Sequence, residues 1–291
     1  MRLLPVFLAS IFAATSGAGS AATGAMLSAG SVAGAVAGDT LSQNTAPVSL
    51  AYNGTHVAGT TAIVATGAPT LVINSPTAGS VAGDYSFTAP AIASAPASIT
   101  QAPLTVTVTN TGVTKQYDGT TAAPVGFTPI FNVTGLAPGD TAAAIGSTGS
   151  AYNNAHVASA TAVNVNGLSI SGITGSNASV TGDYSVGNAG GVASVLATIS
   201  AAPLTVTLTN TGVSKTYDGT TAAPVGFAPT YSVSGLVAGD TAATIANTGS
   251  AFNSQNVNTP SVPGATTLTV NGLTVSGVTG TLGSAGSDYS V

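Results

Sequence analysis

The sequence contains very little charge. Only 3 of its 291 residues are Lys or Arg and 8 are Asp or Glu, so the formal net charge is 3 − 8 = −5. Charged residues make up 4% of the chain, whereas ordinary soluble domains have about 25%, which argues against a typical cytosolic enzyme. Nucleic acids and anionic membranes are bound by clusters of Lys and Arg. Because Arg2, Lys115 and Lys215 are its only strong cations, the chain is predicted to bind neither.

Cysteine and tryptophan are absent. The chain therefore cannot form disulfide bonds, thiolate metal sites or cysteine nucleophiles. A lack of cysteine also suits a chain that crosses two membranes unfolded during export. Aromatic residues make up only 5%, whereas Gly alone contributes 37 residues. Together with abundant Val, Thr, Ser and Asn, this composition is typical of strands and turns rather than of long helices.

The clearest feature of the sequence is an internal repeat. Residues 102–128 and 202–228 differ at four of 27 positions without a gap, which indicates a tandem duplication. The same register continues downstream, with a five-residue insertion in the later copy, and a more diverged copy lies upstream. The motif that marks the register in all three copies is Gly38-Asp39-Thr40, Gly139-Asp140-Thr141 and Gly239-Asp240-Thr241.

These matches divide the chain into four segments. Residues 1–30 are either a secretory signal peptide or a truncated module start, and residues 31–101 form a diverged partial module, called module one. Residues 102–201 are a complete module, called module two, and residues 202–291 are module three, which is truncated at its C-terminal end relative to module two. The apolar stretch after Arg2 is too short to span a bilayer. We expect the chain to be a piece of a longer array.

Local patterns predict that each module is all-β. Leu104, Val106 and Val108 alternate with Thr, as in a half-buried strand, and Asp-Gly and Asn-Gly pairs mark tight turns. A sustained helical period is absent from the sequence. The Tyr that follows Gly182-Asp183 is similar to the tyrosine corner of immunoglobulin-like sandwiches. An immunoglobulin-like sandwich and a small grasp-like sheet both stay open as the fold of one module.

The ionisable residues belong to the repeat. Every Asp has an equivalent in another copy, and His56 and His156 are equivalent to each other, with Asn256 in the third copy. An active site needs a set of unlike groups assembled once, so this repetition favours structural roles, including loop hydrogen bonding for the two histidines. The sets of equivalent Asp residues are Asp39, Asp140 and Asp240; Asp84, Asp183 and Asp288; and Asp118 and Asp218.

The two segments Lys115–Ala122 and Lys215–Ala222, each containing Tyr-Asp-Gly-Thr-Thr-Ala, resemble the YDG repeat domain of large bacterial surface exoproteins. The stretches Gly135–Asp140, Tyr152–Val157 and Ala197–Leu204 are similar to that family too. The family and the related MBG modules occur in tandem in filamentous-haemagglutinin-like adhesins. The resemblance therefore implies a secreted, surface-exposed and non-enzymatic role, without catalytic residues or a cofactor.

The motif residues are predicted to be structural. The Asp is expected to accept backbone hydrogen bonds, the Gly to adopt a positive φ, the Tyr to pack, and the Lys to form an exposed ion pair that contributes about 0 to 1 kcal/mol. These residues are Lys115, Tyr117, Asp118, Gly119, Lys215, Tyr217, Asp218 and Gly219.

Calcium binding is a weaker hypothesis, because carboxylates between extracellular modules often hold this ion. The spacings of 22 and 43 residues between Asp118, Asp140 and Asp183 form no local calcium loop, so turn and strand-end roles are favoured. The full set of calcium candidates is Asp118, Asp140, Asp183, Asp218 and Asp240.

Our leading hypothesis is a spacer or stalk region of a large secreted adhesin that supports cell adhesion or biofilm formation. Near-identical neighbouring copies favour it, since a spacer depends on copy number more than on unique residues. The partner would be a host or neighbouring-cell surface reached by other parts of the protein, and exposed strand edges would permit self-association. The alternative is a repeated weak carbohydrate- or protein-binding module that uses the rings of Tyr117, Tyr152, Tyr217 and Phe252.

Overall fold

The computed structural model describes residues 2–3, 10–12, 26–28, 32–73 and 80–291. Within these ranges the chain consists of short strands and four 3₁₀-helices, with no α-helix. The all-β prediction is therefore confirmed. No helix in the described part of the chain is long and apolar enough to cross a membrane. Most of the segment 1–30, with its predicted signal peptide or module start, lies outside the described residues.

The strands follow the repeat. Those of the first 101 residues are β1 (Arg2–Leu3), β2 (Ser10–Phe12), β3 (Met26–Ser28), β4 (Leu41–Asn44), β5 (Ser49–Tyr52), β6 (Ala62–Thr66), β7 (Thr70–Ile73), β8 (Tyr85–Ser86) and β9 (Ala95–Pro96). Those of module two are β10 (Ala102–Val108), β11 (Val113–Gln116), β12 (Phe131–Thr134), β13 (Asp140–Gly146), β14 (Gly149–Tyr152), β15 (Ala162–Asn166), β16 (Ser169–Gly175), β17 (Tyr184–Val186) and β18 (Ala193–Ser200).

Module three repeats most of this order, with β19 and β20 at the position of β10 and no strand at the position of β11 among its described residues. Its strands are β19 (Ala202–Pro203), β20 (Thr205–Leu208), β21 (Tyr231–Ser234), β22 (Asp240–Ala246), β23 (Gly249–Phe252), β24 (Leu268–Asn271), β25 (Thr274–Gly280) and β26 (Tyr289–Ser290). The 3₁₀-helices are Ala82–Asp84, Thr181–Asp183, Ala189–Gly191 and Gly286–Asp288.

The first strand of module two shows how the sequence forms these sheets. In β10 the predicted apolar side chains are buried and the intervening Thr side chains are exposed. It lies between β12 and β17 and pairs in parallel with β17, with Ala102 opposite Tyr184. The same parallel register joins Ala202 to Tyr289 and Arg2 to Tyr85. The start of each repeat is thus paired with the segment that follows its conserved Asp.

A second sheet in module two has the order β11-β18-β15-β14. Strands β14 and β15 pair antiparallel, with Tyr152 opposite Val163, and β18 runs antiparallel to β15 and parallel to β11. The loop between β14 and β15 carries His156. This mixture of parallel and antiparallel pairs places the loop, the Tyr117 motif after β11 and the end of β18 in one compact unit.

The chain forms two compact units, and neither coincides with one module. Unit one contains Met1–Val106, Asn132–Gly146 and Leu168–Gly191, so it combines the first 101 residues with part of module two. Unit two contains Thr107–Phe131, Ser147–Gly167 and Val192–Val291, so it combines the remainder of module two with module three. Each unit therefore contains parts of two successive repeats.

The core of unit two crosses the repeat boundary. Tyr117, Tyr152 and Val163 of module two form one buried cluster with Leu204 and Tyr289 of module three. Only residue 201 separates β18 from β19, so no linker intervenes between the two modules. The parts of modules two and three in unit two therefore share one folded unit rather than forming independent domains joined by a flexible segment.

This shared core predicts a contrast between two leucines of unit two. Leu204 is 5% exposed and belongs to the cluster, whereas Leu196 is 84% exposed. We expect Leu204→Ala to lower the free energy of unfolding by about 2 to 5 kcal/mol, because it removes buried methyl groups and leaves a cavity. The control Leu196→Ala should change it by no more than about 0.5 kcal/mol. Chemical denaturation of the full chain measures both, and equal effects would contradict the shared core.

Candidate functional site: the junctions between modules

A hydrogen bond between a tyrosine and an aspartate joins two segments of each module. The phenol of the Tyr donates to a carboxylate from the Gly-Asp-Thr motif about half a repeat earlier in the same module, and the geometry recurs three times. The hydrogen bonds are Tyr85 to Asp39 at 2.5 Å, Tyr184 to Asp140 at 2.5 Å and Tyr289 to Asp240 at 2.6 Å. In module three, burial and the Asp240 carboxylate raise the pKa of Tyr289 to about 12. These phenols therefore serve as fixed hydrogen-bond donors.

The Asp residues that directly precede Tyr184 and Tyr289 face the preceding module. Asp183 Oδ2 lies 2.7 Å from His56 Nδ1, and its Oδ1 accepts a 2.8 Å hydrogen bond from the Val57 N–H. We call these three residues the first junction. It lies wholly in unit one.

The second junction repeats this geometry inside unit two. Asp288 Oδ2 lies 2.8 Å from His156 Nδ1, and Oδ1 accepts a 2.7 Å hydrogen bond from the Val157 N–H. The Asp288 side chain is wholly buried. Two adjacent residues thus bind different modules: the Tyr forms a hydrogen bond within its own module, and the Asp forms hydrogen bonds with the preceding one.

The Asp183 carboxylate of the first junction is stabilised as an anion by hydrogen bonds. Burial alone would raise the pKa of Asp183, but the Val180 N–H, His56 and the Val57 N–H outweigh it and hold the pKa below its usual value. The bond from Val180 comes from the same short 3₁₀ turn as the Asp, and Ala285 makes the equivalent bond to Asp288 at 2.8 Å. A turn of the later module therefore presents the carboxylate to the earlier one.

The histidine loop is closed by an asparagine. Asn153 Oδ1 accepts hydrogen bonds from the backbone N–H groups of Thr161 at 3.0 Å and Ala162 at 3.2 Å, and its amide donates to the Thr161 hydroxyl. Asn53 and Asn253 make the corresponding bonds in the other modules. This side chain fixes the loop so that the His and the following N–H face the incoming carboxylate.

Tyr117, of the Tyr-Asp-Gly motif, completes the second junction. Its hydroxyl lies 2.5 Å from Ser284 Oγ, which donates to Asp240 at 2.5 Å. Its ring stacks on His156 at 6.2 Å and meets Tyr289 edge-on at 5.5 Å. Burial raises the pKa of Tyr117 despite its hydrogen bond with Ser284. The motif tyrosine Tyr117 therefore packs against the next module. The sequence predicted that this tyrosine packs but did not indicate that its partner is the following repeat.

The Lys and Asp of the motif form a local turn. Lys115 Nζ donates to Asp118 Oδ1 at 2.6 Å and to the Thr120 carbonyl at 2.8 Å, and it lies 5.4 Å from the centre of the Tyr152 ring. Contrary to the expected exposed ion pair, the Lys115 side chain is only 8% exposed, because it lies across the ring. Module three repeats these contacts with Lys215, Asp218, Thr220 and Phe252. There the hydrogen bonds from Lys215 and Thr220 lower the pKa of Asp218 to about 2.

The two glycines of the motif share a positive φ, but only Gly119 lies against the following module. Gly119 has φ +76° and Gly219 has φ +74°, as the turn prediction requires. A Cβ on Gly119 would lie 2.6 Å from a terminal methyl of Leu282, whereas among the described residues a Cβ on Gly219 would meet nothing within 4 Å. Correspondingly, Tyr117 is 2% exposed and Tyr217 is 60% exposed. The same motif is covered in module two and open in module three.

The calcium candidates lie in three different local settings. Asp118 and Asp218 bind Lys, Asp140 and Asp240 bind Tyr, and Asp183 binds His56. Across the residues described, no group of three or more His, Cys, Asp or Glu side chains lies close enough to hold a metal ion. The fold thus does not bring the candidates together.

Sequence reasoning did not find the His-Asp contacts. It predicted loop hydrogen bonding for the two histidines without naming a partner, and the structure supplies a carboxylate from the next repeat. The partners are 127 residues apart at the first junction and 132 at the second. The two separations differ by five residues, which is the length of the insertion in module three. Both contacts therefore join equivalent positions of successive repeats, and the repeat register was the sequence signal for them.

The glycine pair gives a matched test of the second junction. We expect Gly119→Ala and Gly219→Ala each to destabilise the chain by about 1 to 2 kcal/mol, because both place a Cβ at positive φ. Gly119→Ala should cost about 1 kcal/mol more, since it also displaces Leu282. Thermal or urea unfolding of the two variants checks this, and equal losses would show that Leu282 yields without cost.

The raised pKa values of the buried tyrosines predict that the protein loses stability at high pH. The pKa of Tyr289 rises from 10.0 to about 12 on folding, and Tyr85, Tyr117, Tyr152 and Tyr184 shift in the same direction. Below pH 10 both states are protonated and stability is complete. Between 10 and about 12 the unfolded chain loses protons first, so the free energy of unfolding should fall.

Urea unfolding across this range, with tyrosinate absorbance as a second readout, measures the alkaline loss. Tyr289→Phe should be less stable below pH 10, because it lacks the Asp240 hydrogen bond, and should show a smaller alkaline loss. An unchanged slope in Tyr289→Phe would contradict the raised pKa.

A comparison with protein families matches the YDG domain at residues 100–190 and again at residues 200–290. Searches of curated proteins and of solved structures returned no match. The two matched copies contain the motif turns, the Gly-Asp-Thr aspartates and the Asp-Tyr pairs described above. The two copies together span more than half of the sequence, and the chain therefore belongs to the YDG domain family.

Proposed function

We propose that this chain is a spacer or stalk region of a large secreted bacterial adhesin, in which successive modules hold a binding region away from the cell surface. The observation that carries the proposal is the recurrence of one junction. Each junction contains a His, the N–H of the residue after it, and the Asp that precedes a Tyr. These groups join module one to module two and module two to module three.

The absence of a linker supports this function. Modules two and three share a core, and the hydrogen bonds of the two junctions connect each module to the next, as neighbouring units stabilise each other in other repeat proteins. An array of this kind gains length with each added copy and needs no residue that occurs only once. Secretion, association with the outer membrane and a host or neighbouring-cell surface as partner are part of the same proposal.

Non-enzymatic action is also part of this proposal. The Lys, His and Asp side chains described above are each engaged in a contact that recurs in another copy, which is the pattern of a structural element. The alternative of weak carbohydrate or protein binding has less support, because the rings of Tyr117 and Tyr152 are 2% and 3% exposed and do not offer flat faces to a ligand.

The spacer proposal is tested by lengthening the chain. Additional copies of residues 102–201 are inserted after residue 201, which recreates a junction between His156 of one copy and Asp183 of the next. Small-angle X-ray scattering, extrapolated to infinite dilution, should show a maximum dimension that rises by an equal increment for each copy.

The matched control carries a Gly-Ser segment of the same length at the same place. Its dimension should grow only with about the square root of the inserted length, as for a flexible chain. A maximum dimension that stays constant as copies are added would contradict the spacer proposal.

A further inference from the structure

The first two strands of module two pair with its last two strands, and both pairs are parallel. Strand β10 pairs with β17, with Leu104 opposite Val186, and β11 pairs with β18, with Gln116 opposite Ser200. We call these the parallel pairs. The paired residues of β10 and β17 lie in unit one, and those of β11 and β18 lie in unit two. Strands β19 and β26, and strands β1 and β8, are paired in the same orientation.

Parallel pairing decides how tension along the chain acts on these strands. The chain enters module two at the start of β10 and leaves it at the end of β18. Tension therefore draws the early strand of each pair toward its N-terminus and the late strand toward its C-terminus. Because the partners run in the same direction, the two forces oppose each other along the strands, and all hydrogen bonds of the pair bear the load together. An antiparallel hairpin pulled at its open end loses one bond at a time instead.

An asparagine extends the pair of β10 and β17 beyond its strands. The Gly187 N–H donates to the Leu104 carbonyl at 2.7 Å. The Asn188 side chain then accepts from the Val106 N–H at 2.9 Å and donates to the Val106 carbonyl at 2.8 Å, as the backbone of a further strand residue would. Leu104 and Val106 are buried, so sliding of β10 would also expose apolar side chains.

The pair of β11 and β18 is continuous and belongs to a core. Four residues of each strand are in register. Beyond them, the Tyr117 N–H donates to the Ser200 carbonyl at 2.8 Å. Ala197 and Ile199 of β18 are part of the buried cluster of unit two. Sliding of this pair therefore requires the loss of its whole ladder together with core contacts.

We propose that the modules are load-bearing elements, in which the parallel pairs keep module two folded while the chain is under tension. The property goes beyond the spacer function, since a spacer needs length at rest and this property is resistance to extension. Either can fail while the other holds, because scattering measures the first and force spectroscopy measures the second. The load passes through module two from its start to its end, so the resistance is the same in an array of any length.

Single-molecule force spectroscopy of the full chain tests the proposal. The chain has no cysteine, so two attachment points can be introduced uniquely. Thr100→Cys with Ser200→Cys, both at exposed positions, applies force before β10 and at the end of β18. Ser147→Cys with Ser169→Cys, also at exposed positions, instead pulls the antiparallel pair of β14 and β15 apart from its open end.

At equal loading rates, attachment at residues 100 and 200 should give a severalfold higher rupture force than attachment at residues 147 and 169. The reason is that the hydrogen bonds of the parallel pairs are loaded together. The released length, about 3.5 Å per residue, identifies the segment that unfolds. An equal or lower force at residues 100 and 200 would overturn the proposal.

Two asparagine variants, pulled at residues 100 and 200, test the first parallel pair itself. Asn188→Ala removes both hydrogen bonds to Val106, whereas Asn153→Ala removes bonds that close the loop between β14 and β15, outside the parallel pairs. At a fixed force Asn188→Ala should unfold about tenfold faster, since forced unfolding follows the unfolding barrier and loaded bonds are lost. Asn153→Ala should change that rate by less than about twofold, because its contacts still stand when the loaded pair breaks.

Chemical denaturation of both variants without force confirms that they fold and measures how far each is destabilised at equilibrium. The proposal requires the rate under force to depend on where the lost bonds lie. An Asn188→Ala rate equal to that of the original chain, or rates that follow equilibrium stability alone in both variants, would contradict it.

Discussion

The structure depends on a pair of neighbouring residues that hold different modules. Within the Asp183-Tyr184 and Asp288-Tyr289 pairs, the phenol donates to an aspartate of its own module and the carboxylate accepts from the loop of the preceding one. A buried carboxylate is costly unless its oxygens are hydrogen-bonded. Asp288 satisfies this condition with the N–H groups of Val157 and Ala285 and with His156, so the covered junction is a specific fit.

The composition explains why the modules share a core. A chain with 5% aromatic residues and many Ala, Val and Gly has few large side chains with which to fill the interior of a small domain. Two of the scarce tyrosines, Tyr117 and Tyr289, therefore lie together at the boundary between modules two and three. Burial that one repeat cannot achieve alone is achieved by two successive repeats, as in other repeat architectures.

Modules two and three form a natural comparison, because their motifs are nearly identical and only one is covered. The Lys, Asp and Thr contacts of the turn are the same in both, so the turn forms from local interactions alone. What changes is the tyrosine, because Tyr117 is 2% exposed beneath module three and Tyr217 is 60% exposed. The motif thus combines a self-sufficient turn with a side chain whose burial depends on its neighbour.

The sequence by itself determined the all-β fold, the repeat, the motif turns with their glycines at positive φ, and the recurrence of each aspartate in a common role. Tertiary structure alone decided the parallel pairing of β10 with β17, the burial of Lys115 on a ring and the two units that divide module two. It also decided that Asp183 binds His56 of the preceding copy rather than the equivalent His156 of its own copy. The reason is physical: repeats offer the same donors and acceptors in every copy, so residue types cannot indicate whether a contact closes within a module or reaches the next. Only the path of the strands through space selects the partner.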